Sequence, residues 1–296
     1  GSPAFPTRTG VQPTVTDLTA TVAKYGNFIF LNEEVDLLNF TGQSAKLSEL
    51  LGMNAGQSLN RLQRDIAEDN LTAILAGTAT TASDIHHAAT VTDERLSLTQ
   101  IARTVNALNR QDAMKFLPQT TGDRAIGTAP IRQSYWGICH VDTTEDLREL
   151  AGWQSVETYA NQTQTAPGEI GAVGGVRFIE TTESSIDAGS GDTTTGSATT
   201  DSRGTNDRVD LYNTLIFGKD ALGSLGFGRR HVKEIYKVGD KLPAILVITH
   251  PKGSAGAGDP LNEISTMGWK TWHGGLVLNS NWGRVARHAV NRLSAA

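Results

Sequence analysis

His140 and Asp142 stand two residues apart, and both side chains can ligate a metal or move a proton. In an extended strand residues two apart share a face, so the pair is a candidate half-site. A zinc site needs at least a third protein ligand, and no further His/Asp/Glu cluster of recognisable spacing supplies one. A structural histidine near a strand end is the simpler reading. His86 and His87 are sequence neighbours in a polar stretch, where they read as solvated loop residues. His273 lies among Trp269, Trp272 and Leu276, a setting for a packing histidine. A hydrolase triad has no anchor, because the chain contains no G-x-S-x-G elbow. Cys139 sits in an apolar run and reads as a small buried hydrophobe. The glycines at 253, 256 and 258 lack the Lys-Ser/Thr and the helix start of a phosphate loop. Arg229, Arg230 and His231 open a basic patch that fits nucleic acid or an acidic neighbouring subunit, and equally a solvated surface. No catalytic, cofactor-binding or metal residue is assigned, no cofactor is expected, and the chain is not expected to be an enzyme.

Composition narrows the classes. The 296 residues could form one large domain or two ordinary ones. Apolar residues make up 38% and charged residues 19%, and Gly, Thr, Ser and Asn fill the balance, as suits a chain rich in strands and loops. The net charge of −5 argues against a dedicated nucleic-acid binder, which is normally basic. One cysteine excludes an intrachain disulfide and any multi-cysteine metal site. No apolar run reaches the ~20 residues of a membrane span, no signal peptide is visible, and no membrane partner is expected.

The elements point to contact rather than chemistry. Residues 252–282 begin with a glycine-rich loop, turn at Asp259-Pro260, and continue into a bulky run through Trp269, Trp272 and Val277 that reads as strand. Residues 279–283 are the next turn, and 282–290 a final short strand. At the other end, Pro3, Pro6 and Pro13 mark an extended arm. Residues 14–31 read as a strand, with Leu18, Ala20 and Val22 on one face and Phe28 and Phe30 after a Tyr-Gly-Asn step. A long strand needs a partner for its backbone groups, and none lies nearby. One strand of a hairpin is therefore expected to lie upstream of residue 1.

Asn32 can cap a short helix with Glu33, Glu34 and Asp36 in its first turn, where acids favour the dipole. Leu47, Leu51, Ala55, Leu59, Leu62 and Ile66 then recur at helical spacing. The spacing predicts a strut helix continuing to Ile74, with Gly52 and Gly56 inside it at a cost of about 1 kcal/mol each. Residues 77–95 read as loop. A second helix is predicted over 98–116, capped by Ser97 or Thr99, with Ile101, Val105, Leu108 and Met114 facing in. After a loop over 122–130, residues 131–141 read as a buried strand. A short helix capped by Thr143 or Thr144 and stopping at Gly152 follows, then a strand pair around residues 171–175. Residues 187–207 are low in complexity and read as an exposed loop, either a decoration or a binding element. Residues 211–217 are a further buried strand, and 242–249 are mostly apolar. The order is that of an α+β protein.

Residues 152–181 (GWQSVETYANQTQTAPGEIGAVGGVRFIET), 215–225 (LIFGKDALGSL), 251–282 (PKGSAGAGDPLNEISTMGWKTWHGGLVLNSNW) and 16–31 (TDLTATVAKYGNFIFL) resemble the major capsid proteins of tailed bacteriophages, in particular the family of the N-four-like podophages. The resemblance spans nearly the whole chain; the 1–10 arm and the 187–207 loop lie outside it.

The resemblance implies a Hong Kong 97-like capsid fold with extended loop, spine helix, peripheral domain and axial domain. On this chain it places an extended-loop remnant and arm at 1–31, the peripheral domain with the spine helix at 32–130, the axial domain at 131–237, and returning peripheral strands at 238–296. It implies a homo-oligomer of pentamers and hexamers closing into an icosahedral shell around double-stranded DNA held by non-specific contact. Partners would be a portal and decoration or scaffolding proteins, with assembly in the host cytoplasm and residence in the virion. An encapsulin-like nanocompartment shares the fold and encloses protein instead. An uncharacterised hydrolase would need His140, Asp142 and a nucleophile converging in a pocket, and a phage decoration or adhesion protein would be a trimer or monomer.

Overall fold

The computed structural model describes residues 16–38, 43–85, 94–116, 133–159, 165–193, 204–206, 208–226, 245–254 and 258–291. The first part of the chain forms β1 (Ala23–Asn32), α1 (Glu33–Leu38), α2 (Gln43–Asn70), β2 (Thr72–Leu75) and α3 (Leu98–Asn109). The middle adds β3 (Tyr135–His140), α4 (Thr144–Arg148), β4 (Gln154–Ser155), β5 (Glu169–Val173), β6 (Val176–Thr181) and β7 (Ile186–Asp187). Then come β8 (Gly204–Thr205), β9 (Arg208–Val209), β10 (Leu211–Phe217) and β11 (Leu222–Gly226). The chain closes with β12 (Leu246–His250), β13 (Ile264–Val277) and β14 (Gly283–His288).

Two sheets organise these elements. In the four-stranded sheet the long β13 lies at the centre, with β1 along one edge and β12 and β11 along the other, all antiparallel. The eight-stranded sheet runs β2-β14-β10-β3-β6-β5-β4, with β7 also on β10. It is mixed, since β2 and β14 are parallel, as are β3 and β6.

β1 has a partner within the chain. All ten residues of the strand pair with β13, from Ala23 opposite His273 to Asn32 opposite Ile264. Its partner therefore lies at the other end of the chain, a pairing that no local pattern reveals, and residues 16–22 are not strand. The outer edge of β1 carries no strand among the described residues.

Helix α2 joins the two sheets. Its 28 residues give a rod of about 42 Å at 1.5 Å per residue. Leu51 and Ala55 pack on Trp269, Tyr25, Ile29 and Met267 of the four-stranded sheet. More than three turns after Ala55, Ala67, followed by Leu71, packs on Leu215 and Val285 of the eight-stranded sheet. The helix stops at Asn70 rather than Ile74: Ile74 lies in β2, opposite Ala286 of β14. An apolar residue at helical spacing is equally apolar in a buried parallel strand, so periodicity alone could not separate the two.

The opposite face of the eight-stranded sheet packs on α3. Ile101 and Leu108 meet Tyr135, Phe178, Ile216 and Ala286 in the largest core. Ser97 caps α3, its side chain accepting from the Gln100 N–H at 3.2 Å. The helix ends at Asn109, well short of residue 116, and Asp112 takes φ 51°, which breaks the helical path. Met114 is consequently exposed instead of facing in. The strand expected over 131–141 is β3, starting at Tyr135, with Val141 already in a turn. The Gly174-Gly175 step, with φ of 60° and 85°, makes the tight β5–β6 hairpin, a conformation glycine accepts without strain. Within the 187–207 stretch the described ends are built into the fold. The Gly191 N–H donates to Val209 O at 2.9 Å and the Asp192 N–H to Ile85 O at 2.9 Å.

The eight-stranded sheet and its core draw on all three spans, 32–130, 131–237 and 238–296. β2 and α3 from the first span and β14 from the last all join the eight-stranded sheet and its core. Residues 86–87, 122–130 and 229–237, including the paired histidines and the basic patch, lie outside the described residues.

Candidate assembly surface

The residues with chemical potential are mostly spent within the fold. His140 ends β3, and Asp142 lies not on the strand face but in the turn that follows. The turn brings them together all the same. His140 Nδ1 accepts the Asp142 backbone N–H at 3.1 Å and sits 3.3 Å from Asp142 Oδ2. That oxygen accepts the Tyr212 hydroxyl at 2.9 Å, and the Tyr212 ring meets the His140 ring edge to face. With its Nδ1 lone pair engaged by a backbone amide, His140 does not hand an N–H from that atom to the carboxylate, as an Asp–His catalytic pair requires. No three His, Cys, Asp or Glu side chains among the described residues come together as a metal site.

Cys139 is fully buried, and burial pushes its thiol up to about 12. A thiol so far from ionisation is a poor nucleophile. His273 lies within β13 and is half-buried. The cavity of about 340 Å³ between α2 and the eight-stranded sheet is lined by Ala67, Ile138, Leu215 and Phe217, with Gln63 and Glu180 among its polar groups. Neither His140 nor Asp142 lines it, so the convergence required by a hydrolase does not occur there.

What the fold does present is a rigid frame with apolar side chains turned outward. Asn54 of α2 clamps the frame: its Oδ1 accepts the Trp269 indole N–H and the Asn27 amide, each at 3.2 Å. Farther along α2, Arg61 and Arg64 bond Glu183, and the Ser185 hydroxyl donates to Glu68 at 2.6 Å. These polar ties pin the strut to both sheets. They were not visible in the sequence, because each joins residues far apart in the chain.

The strands alternate strictly. Tyr25, Ile29, Met267 and Trp269 face α2, so the residues between them point the other way. On that outer face Phe28 is 59% exposed and Phe30 64%, their rings in edge-to-face contact with centroids 5.0 Å apart. Gly268 makes room for them, since a Cβ there would lie 2.8 Å from that of Phe28. Two exposed aromatics side by side make this face a candidate interaction surface.

The sequence matches no family model and no curated protein. Solved structures do match. The chain is similar to the capsid of Ralstonia phage GP4, with a TM-score of 0.60 at 10% identity, over 98% of this chain and 83% of that one. This is the Hong Kong 97-like capsid fold. The capsid of cyanophage P-SCSP1u matches with a TM-score of 0.50 at 14% identity, over 94% of this chain and 79% of that one. A structure of Mycobacterium phage Che8 matches with a TM-score of 0.50 at 13% identity, over 93% and 81%. Within this fold α2 ties one sheet to the other, and the outward aromatics of β1 lie on the smaller sheet.

Proposed function

We propose that this chain is a major capsid protein, a structural subunit rather than an enzyme, whose copies build a closed icosahedral shell around double-stranded DNA. One observation carries the reading: the likeness to the Ralstonia phage GP4 capsid over 98% of the chain. The four-stranded sheet with the N-terminal half of α2 would be the peripheral domain. The eight-stranded sheet with α3 would be the axial domain, meeting its copies around the axis of each pentamer or hexamer. β1, paired along β13, would be where the extended loop joins the peripheral sheet. Such rings use heterologous contacts, one patch of each copy against a different patch of the next. DNA contact would be sequence-neutral and weak, given the net charge of −5. A portal and decoration or scaffolding proteins would complete the particle, assembled in the host cytoplasm and resident in the virion.

Electron microscopy of the expressed and purified chain tests this. Closed shells, or free pentamers and hexamers that close on concentration, are expected. A population that stays monomeric at high concentration would overturn the reading. Particles holding a specific protein cargo would shift it to an encapsulin-like compartment.

A further inference from the structure

The outward face of the four-stranded sheet has a chemical character of its own. Register places Phe28, Gly268 and Ile248 in one row across β1, β13 and β12, and Phe30, Thr266 and His250 in the next. The adjoining rows hold Gly26, Lys270 and Leu246, then Lys24 and Trp272. Lys270 Nζ lies 5.8 Å from the Trp272 ring centre. No Asp or Glu occupies an outward position of these three strands. The face is thus aromatic, aliphatic and basic.

The same chain carries a patch of opposite character. Directly after β1, α1 presents Glu34 together with Leu37, 75% exposed, and Leu38, 82% exposed, and Glu33 is half-buried beside them. Two leucines exposed on a six-residue helix bring the subunit by itself no benefit, since apolar side chains stabilise by leaving water. Within one copy no described residue covers them.

We propose that α1 of one copy docks on the outward face of the four-stranded sheet of the next, with Leu37 and Leu38 against Phe28 and Phe30, and Glu33 and Glu34 near Lys24 and Lys270. This names the surfaces of the shell contact and rests on the capsid reading above. Two features favour a second copy over nucleic acid as the occupant. Two lysines across the face neutralise few phosphates, and phosphate contacts dominate nucleic-acid affinity. The exposed area is largely apolar, which a phosphate backbone does not match. Because the knob and the socket are different patches, the contact is heterologous and can propagate around a ring.

Charge exchange tests it. The Lys24→Glu/Lys270→Glu double variant and the Glu33→Lys/Glu34→Lys double variant should each raise the critical concentration for particle formation about tenfold or more, as attraction becomes repulsion. Combining all four substitutions should restore assembly toward wild type. Circular dichroism should stay native, and the four-fold variant, which lacks the Lys270–Trp272 contact just as its parent does, separates lost docking from lost stability. As an independent readout, a photo-crosslinking phenylalanine analogue at position 30 should join two copies in assembled particles, the crosslink mapping to residues 33–38. An unchanged critical concentration, a four-fold variant no better than its parents, or a crosslink to packaged DNA or to another region would overturn the docking while leaving the capsid reading intact. Failure of the wild-type chain to assemble at all would instead sink the capsid reading, and this inference with it.

Discussion

Asp146 Oδ2 accepts the backbone N–H of Asn291 at 3.2 Å, so a short mid-chain helix holds the end of the described C-terminal segment. Its other oxygen faces Arg95 Nη1 at 3.3 Å, with Glu149 on the same guanidinium. The carboxyl is 4% exposed, and burial raises its pKa from 3.8 to about 6 against the pull of the Asn291 amide and Arg95. A raised acid contributes stability that is full below 3.8 and lost as pH rises through about 6. The gap is worth about 3 kcal/mol at 1.36 kcal/mol per pH unit.

His288 works in the opposite sense. It is fully buried; its Nδ1–H donates to Ala289 O at 2.9 Å and its Nε2 accepts the Thr214 hydroxyl at 2.9 Å. Burial lowers its pKa from 6.5 to about 4, so its contribution is full above 6.5 and lost as pH falls through about 4. Over that window the two groups oppose each other. Asp146→Asn therefore leaves His288 to titrate alone, and the melting temperature of the variant should fall by several degrees more than that of wild type between pH 6.5 and 4.5. Parallel slopes in thermal melts of the two proteins would sink this assignment.

Thr214→Val is close in shape and removes the hydroxyl on His288 Nε2. A buried acceptor left without a partner costs about 1–3 kcal/mol. Chemical denaturation at pH 7.5 should show that loss with an unchanged m-value, and a loss below about 0.5 kcal/mol would mean the hydrogen bond is not made.

Gly275 and Gly52 should respond in opposite directions. A Cβ at Gly275 would lie 2.5 Å from Ile66 Cδ1 and 2.8 Å from Gln63 Oε1, both on α2. Gly275→Val should push the strut off the sheet and destabilise by about 1–3 kcal/mol. Gly52 is exposed within α2 with nothing within 4 Å of such a Cβ, and Gly52→Ala should stabilise by about 1 kcal/mol through helix propensity. Urea unfolding of both variants checks the pair.

Duplex DNA should bind the isolated subunit weakly. With 31 acidic against 26 basic residues, mobility-shift titration at physiological salt should show near-zero association. Tight, salt-resistant binding would count against a shell that leaves its DNA mobile.

Local chemistry in the sequence was enough to place many elements. Leu51 and Ala55 marked the buried stripe of α2, Ser97 or Thr99 its successor's cap, the 211–217 run the whole of β10, and residues 171–175 a turn between paired strands. The motifs quoted above also implied the capsid fold that the structure adopts. Other features depended on which distant residues meet. Phe28 and Phe30 carry no sign in the sequence of facing outward; that follows from β1 lying on β13 with Tyr25 and Ile29 turned to α2. Ile74 fitted the helical repeat until pairing with Ala286 drew it into β2. Asp142 became a partner of Tyr212 only when β3 and β10 came together. Propensity, capping and turn preference act over a few residues, so the sequence determined the elements. Strand partners, outward faces and buried charges depend on contacts between residues up to about 250 positions apart, and those only the tertiary structure decided.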